Sequence, residues 1–186
     1  MAGVRVRLVA VGPEDELVEA ALRLSTSPEQ ARFALVPAQS FPLALADPAR
    51  TAFVVLDDGE AGSHEDDGVP TGRVVGAGVL DTAAPGSDAE LAGLLTAAGH
   101  DPTRAVLLRS FVIGSGHQGR GLGTQAARAA RALAQRLAAG ADVVVLTVNE
   151  QNAPGLRAYP RAGFTDVGRD LGGDAGPQRA MVARCG

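Results

Sequence analysis

The stretch Gly114-Ser115-Gly116-His117-Gln118-Gly119-Arg120-Gly121-Leu122-Gly123-Thr124 constrains this chain more than any other. It stands between a nearly continuous apolar run, residues 105–113, and an Ala/Leu/Arg-rich helix pattern over residues 122–139 that Gly140 stops. A run of that kind reads as a central strand buried on both faces. Glycine at the strand–helix junction lets backbone approach a ligand with no Cβ in the way. The unpaired N–H groups of a helix start point outward, and the helix dipole adds partial positive charge. Together they make an anion site suited to a phosphate or pyrophosphate.

Two literal patterns overlap in this loop. Gly114 to Gly119 fits the dinucleotide fingerprint G-x-G-x-x-G. That fingerprint expects an acidic residue about 20 positions on, to hold a ribose. The region there is Ala134-Gln135-Arg136, without an acid, and the helix begins near Gly121, too late for the fingerprint's tight turn. The second pattern is Gln118-Gly119-Arg120-Gly121-Leu122-Gly123, of the form Q/R-x-x-G-x-G/A.

The rest of the chain reads as alternating strands and helices. Val4, Val6 and Leu8 alternate with Arg5 and Arg7 as a half-buried strand. Pro13 is expected to open a helix whose first turn holds Glu14, Asp15 and Glu16, and Ser27-Pro28-Glu29-Gln30 gives a second start with a capping box. Ser40 is expected to cap a third helix through Ala46. Residues 51–56 and 73–80 form a hairpin around a polar loop. Ser87-Asp88-Ala89-Glu90 is another capping box, and Gly99 ends that helix. Residues 143–148 are a second buried strand, 153–162 a short helix closed by Gly163, and 164–168 and 179–183 the last strands.

The totals exclude several classes. Net charge is −4, aromatic residues make up 3%, and all seventeen basic residues are arginines scattered along the chain. That argues against a nucleic-acid surface, which needs clustered cations. No apolar run approaches the roughly 20 residues that span a bilayer, and no signal peptide is visible, so no membrane association and a cytoplasmic location are expected. Cys185, the single cysteine, excludes an internal disulfide and a cysteine-based zinc site, and no metal is expected.

A second motif lies downstream. Asn152-Ala153-Pro154-Gly155-Leu156-Arg157-Ala158-Tyr159-Pro160-Arg161-Ala162-Gly163-Phe164 is similar to N-x-x-A-x-x-L-Y-x-x-x-G-F, with small-residue changes at Gly155 and Ala158. With the Q/R-x-x-G-x-G/A loop, it resembles the Gcn5-related N-acetyltransferase (GNAT) superfamily. More loosely, the chain around Pro28-Glu29-Gln30, Ser40 and the hairpin looks like the spermine/spermidine (diamine) acetyltransferase branch, with residues 85–103 as an insertion. The resemblance implies a single α/β domain over residues 1–186, a mixed, mostly antiparallel sheet with a splayed central parallel pair, and flanking helices. It implies acetyl-CoA as co-substrate, direct transfer of the acetyl group to a primary amine of a small, polyamine-like molecule, and a homodimer.

Carried over residue by residue, the resemblance assigns cofactor binding to Phe111, Val112 and Ile113 through their backbone. It assigns the pyrophosphate to Gln118, Gly119, Arg120, Gly121, Leu122, Gly123 and Thr124, and a further cofactor hydrogen bond to Asn152. Asn152 is also a helix cap on its own merits. Tyr159, the chain's single tyrosine, becomes the catalytic proton donor to the departing CoA thiolate. Seven residues separate it from Asn152, about two helical turns, so both share one face. Pro160 removes a helix hydrogen bond and disfavours helical geometry at Tyr159, so a kink is expected there. No general base is assigned: Glu150 and His117 have suitable chemistry, but Glu150 also reads as a loop residue and His117 as a neighbour of the phosphates. The missing base and Pro160 leave a second reading open, a CoA-binding sensor without catalysis. The acidic residues Asp57, Asp58, Glu60, Glu65, Asp66 and Asp67 read as a solvated hairpin tip that a cationic amine would be drawn to.

Overall fold

The computed structural model describes residues 6–59, 72–170 and 175–185. Val4, Arg5, Glu60, Glu65, Asp66 and Asp67 lie outside the described residues. Seven strands form one mixed sheet: β1 (Val6–Ala10), β2 (Arg50–Asp57), β3 (Arg73–Asp81), β4 (Ala105–Ile113), β5 (Val143–Asn149), β6 (Thr165–Asp170) and β7 (Gln178–Arg184). Their order is β1-β2-β3-β4-β5-β7-β6, antiparallel throughout except for the β4–β5 pair at the centre. Among the described residues, no helix is long and apolar enough to cross a membrane.

The parallel pair is short. β4 and β5 are bonded at Ala105–Val143, Val106–Val144 and Leu107–Val145, while both strands continue beyond. On its other edge β4 stays paired with β3 to Gly76–Ile113, with one irregularity: Ser110 and Phe111 together oppose Gly78. This is a β-bulge, and Ser110 carries a left-handed φ of +50°, a rare conformation for a residue with a side chain. The sheet is therefore open in its middle, between the C-terminal halves of β4 and β5.

Helices cover both faces. The long helix α6 (Leu122–Leu137) buries Leu122, Ala126, Ala127, Ala130, Leu133 and Ala134, a one-sided stripe whose small residues let it sit close to the sheet. With α7 (Ala153–Arg161) it covers a core that includes Phe53, Val75, Leu108, Ile113 and Val148. The opposite face carries α1 (Glu16–Leu22), α3 (Pro37–Leu45), α4 (Ala84–Ser87) and α5 (Ala89–Ala97), and the single turn α2 (Pro28–Ala31) joins α1 to α3. Alternate residues of the same strands, such as Val54, Val79 and Val145, pack there in two clusters.

Strand positions match the sequence pattern closely; helix starts differ. Asp15, not Pro13, sets the start of α1: its carboxylate accepts the Leu17 N–H, so Glu14 and Asp15 precede the helix. Asp88 caps α5 by accepting from Glu90 and Leu91, and Ser87 instead ends α4. Ser40 lies inside α3, buried, with its hydroxyl unpartnered, and Val36 is the cap position. The Ser27 hydroxyl does accept the Gln30 N–H at 3.2 Å. In α6 the helix stops two residues before the expected end, with Gly140 in a left-handed turn (φ +97°) just beyond.

Room for the bulge comes from Gly78, where a Cβ would lie 2.5 Å from the Phe53 ring, itself 6.4 Å centroid to centroid from Phe111. Gly78→Ala is expected to destabilise the protein by about 1–3 kcal/mol, the usual cost of overpacking a core. Urea denaturation of the parent and the variant measures it. A change within about 0.5 kcal/mol would show that the Phe53 and Phe111 rings yield freely.

Candidate active site

The gap in the sheet and the start of α6 form one site. Gly114 donates its N–H back to Val75 on β3, so by strand alternation the backbone groups of Ile113 face the gap. The Gln118 amide turns inward there, donating to the Ile113 carbonyl at 3.0 Å and meeting the Gln30 amide at 2.7 Å. Gln118 thus closes the open backbone edge of β4 and does not face the helix start, as the sequence pattern suggested. Val112 and Ile113 bury their side chains, and Phe111 is half-buried against the α6-side core.

The loop itself is a cradle. Gly119 and Gly121 adopt left-handed φ values of +76° and +77°, and a Cβ built on Gly116, Gly119 or Gly121 would meet nothing within 4 Å. Gly121 occupies the cap position of α6 and offers no side-chain hydrogen bond. The first N–H groups of a 16-residue helix therefore open onto free space lined by glycine. Leu122 sinks its side chain into the core, and a Cβ on Gly123 would sit 3.6 Å from Ile113. The Thr124 hydroxyl approaches the Ala158 carbonyl at 3.5 Å, so it ties α6 to α7.

Cations flank the cradle. Arg120 reaches Asp57 at 3.3 Å, which brings the end of β2 to the loop; Asp58 pairs with Arg7 instead. His117 is half-buried with its Nδ1 unpartnered. Desolvation first, then the charges of Arg73 and Arg120, hold its pKa below the ordinary 6.5, with Asp57 pulling the other way. An added anion would reverse that balance.

Asn152 and Tyr159 stand on α7. Asn152 caps the helix, its Oδ1 accepting the Gly155 N–H at 3.0 Å, and its Nδ2 donates to none of the described residues. Tyr159 packs edge-on against Phe164, with 6.0 Å between centroids, and its hydroxyl has no partner among the described residues. Burial pushes the phenol up to about 12. α7 runs through Pro160 to Arg161, close to the expected span of 153–162. The left-handed Gly163 (φ +92°) follows, and Phe164 N–H returns to the Tyr159 carbonyl at 3.1 Å. Glu150 is held by both oxygens against Arg169, at 2.9 Å each.

A gap in the sheet, a glycine cradle at its mouth and a phenol on the covering helix make up the candidate site. The acetyltransferase (GNAT) family model matches residues 18–164, and the chain belongs to that family. No curated protein matches the sequence. Similar solved structures include an aminoglycoside acetyltransferase, AAC(6′)-Ib, in complex with paromomycin and acetyl-CoA (19% identity, 96% of this chain and 93% of that one, TM-score 0.65). They also include a spermidine N-acetyltransferase from Vibrio cholerae with CoA and spermine (15%, 97% and 95%, 0.62) and the GNAT domain of S. lividans PAT (14%, 96% and 90%, 0.61).

His117 links the cradle to pH. Its folded pKa lies below 6.5, so the unfolded chain binds the proton more readily. Its contribution is complete above 6.5 and is lost as pH falls through that value to the folded one. His117→Gln is expected to flatten the fall in stability between about pH 7 and pH 5, read from urea midpoints across that range. Parallel curves for the two proteins would remove the effect.

Proposed function

We propose that the enzyme transfers the acetyl group of acetyl-CoA directly to a primary amine of a small molecule, and that the gap between β4 and β5 is where transfer occurs. The observation that carries this reading is the open backbone edge of β4 at Ile113, continuous with an uncapped glycine cradle at the α6 start. Acetyl-CoA supplies an activated thioester and a pyrophosphate handle. The fit is chemical as well as spatial: the cradle offers N–H donors to a polyanion, and Ile113 offers a strand edge to an amide-bearing arm. The Asn152 Nδ2 is a further donor.

The residues divide the work. Backbone N–H groups of Gly119 to Gly123, with the Thr124 N–H, receive the pyrophosphate. Arg120 exchanges Asp57 for a phosphate oxygen, a stronger charge-assisted contact. Phe111, Val112 and Ile113 present main chain to the arm, and Gln118 releases the Ile113 carbonyl to it. Tyr159 directs its hydroxyl to the sulfur. A phenol near 12 keeps its proton at any working pH and gives it up only to a strong base, such as the thiolate that acetyl transfer releases. β4 carries no carboxylate between Leu107 and Ile113, so the acceptor arrives as the neutral amine or passes its proton to water.

Mixing the protein with acetyl-CoA and a panel of primary amines, while following thiol release, tests the reading. Thiol release that does not depend on amine would overturn it. Gly121→Val is expected to fold yet lose the rise in melting temperature that acetyl-CoA gives the parent, because a side chain fills the cradle and resists a left-handed φ. Retained stabilisation by acetyl-CoA would show that the loop is only a turn.

Tyr159→Phe is expected to lower kcat roughly 10²–10⁴-fold with little change in KM for acetyl-CoA, since the ring still packs and only the proton is lost. A rate within about threefold of the parent, with chemistry limiting, would remove Tyr159 from the mechanism.

A further inference from the structure

On the face opposite α6, Leu107–Val145 is the last bonded position of the parallel pair, and Arg109 is the next β4 residue on that face. It stands at the apex of the gap, across the sheet from α6 and α7. Its side chain is 38% exposed and places one nitrogen 3.2 Å from Asp81. Asp81 is 2% exposed, so its charge demands compensation, and it has it. Arg50 Nε donates to it at 2.9 Å and the N–H groups of Ala83 and Ala84 at 3.1 and 2.9 Å. Arg50 is paired in turn with Asp47 at 3.2 Å. Arg109 is thus anchored by one N–H to a buried, fully satisfied carboxylate, and its guanidinium forms no other hydrogen bond among the described residues.

Arg109 lines a cleft of about 530 Å³ shared with Asp47, Arg50, Asp81, Ser87 and Asp88. The other polar groups of its wall are already engaged. Asp88 caps α5, Ser87 donates to the Ala83 and Ala84 carbonyls, and Asp47 holds Arg50 and the Ala49 N–H. One side of the cleft comes from the segment after β3. A polycation entering here would meet a guanidinium at the point of transfer. A carboxylate would instead find planar, paired N–H donors on a side chain held in place.

We propose that Arg109, positioned by Asp81, determines acceptor specificity, and that the acceptor is an amine that also carries a carboxylate. This rests on the acetyl-transfer reading above. The carboxylate binds Arg109 on the α3–α4 side of the sheet, and the amine reaches into the gap from that face.

The test uses the full chain with acetyl-CoA and a series of ω-amino acids, each matched with the alkylamine and the diamine of the same length. For the best chain length, kcat/KM for the amino acid is expected to exceed both matched amines by roughly 10–100-fold, the range of a hydrogen bond to a charged group. Arg109→Leu is expected to reduce that preference to within about threefold while acetyl-CoA still raises the melting temperature. Arg109→Lys, which keeps the charge, is expected to retain part of it, and Arg109→Glu to invert the order in favour of the diamine. Transfer by the parent without a carboxylate preference, or an unchanged preference in Arg109→Leu, overturns the proposal and leaves the transfer reading standing. No transfer to any member of the series, with acetyl-CoA still bound, overturns both.

Discussion

β4 and β5 exchange backbone hydrogen bonds as far as Leu107 and Val145 and then part, and the bulge at Ser110 and Phe111 accompanies the parting. Backbone N–H and C=O groups are obligatory hydrogen-bonding groups, so an open edge inside a sheet must be satisfied by something. A side chain does it here, with Gln118 on the Ile113 carbonyl. The neighbouring features follow from the same edge. Gly78 makes room for the rings around the bulge, and Gly123 lets the start of α6 lie against Ile113. Arg109 and Tyr159 stand on opposite sides of the sheet.

Charge is arranged around the cradle so that it can be given up. The Arg120–Asp57 pair is half-exposed on the arginine side, and such pairs are worth about 0–1 kcal/mol. Asp81 is the opposite case: a buried carboxylate with four donors, costly to disturb. The first arrangement suits a loop that must accept an anion, and the second suits a fixed anchor.

Much of this was legible in the sequence. β4 was bounded at both ends by its apolar run, and the glycine cradle by the turn chemistry that left-handed Gly119 and Gly121 require. The Asn152 cap followed from residue type and spacing. Helix starts were less legible, because Asp15 and Asp88 compete with neighbouring Pro13 and Ser87 for the cap role, and local geometry decides among them. The direction of Gln118 and the Arg120–Asp57 pair were hidden, since each depends on residues 63 or more positions away. The Asp81–Arg50–Arg109 group joins residues 28 and 31 apart, across strands whose register no single segment specifies. A buried Asp at the end of an apolar strand was the available signal for it. The α7 helix tolerates Pro160 because the proline sits one residue before the helix end, where little of the hydrogen-bond ladder remains to be broken.

The open edge of β4 also bears on self-association. Exposed strand edges recruit strands from other copies, and proteins guard them with charge. Here the outer strands carry ion pairs, Arg7–Asp58 on β1 and Arg179–Asp166 between β7 and β6. The edge at Ile113 instead lies inside the sheet, flanked by β3 on one side and β5 on the other, where an incoming sheet would meet strands already in place. The adhesive part of the backbone is thereby kept available to one slender molecule and shielded from the aggregation that the same edge would invite at the rim.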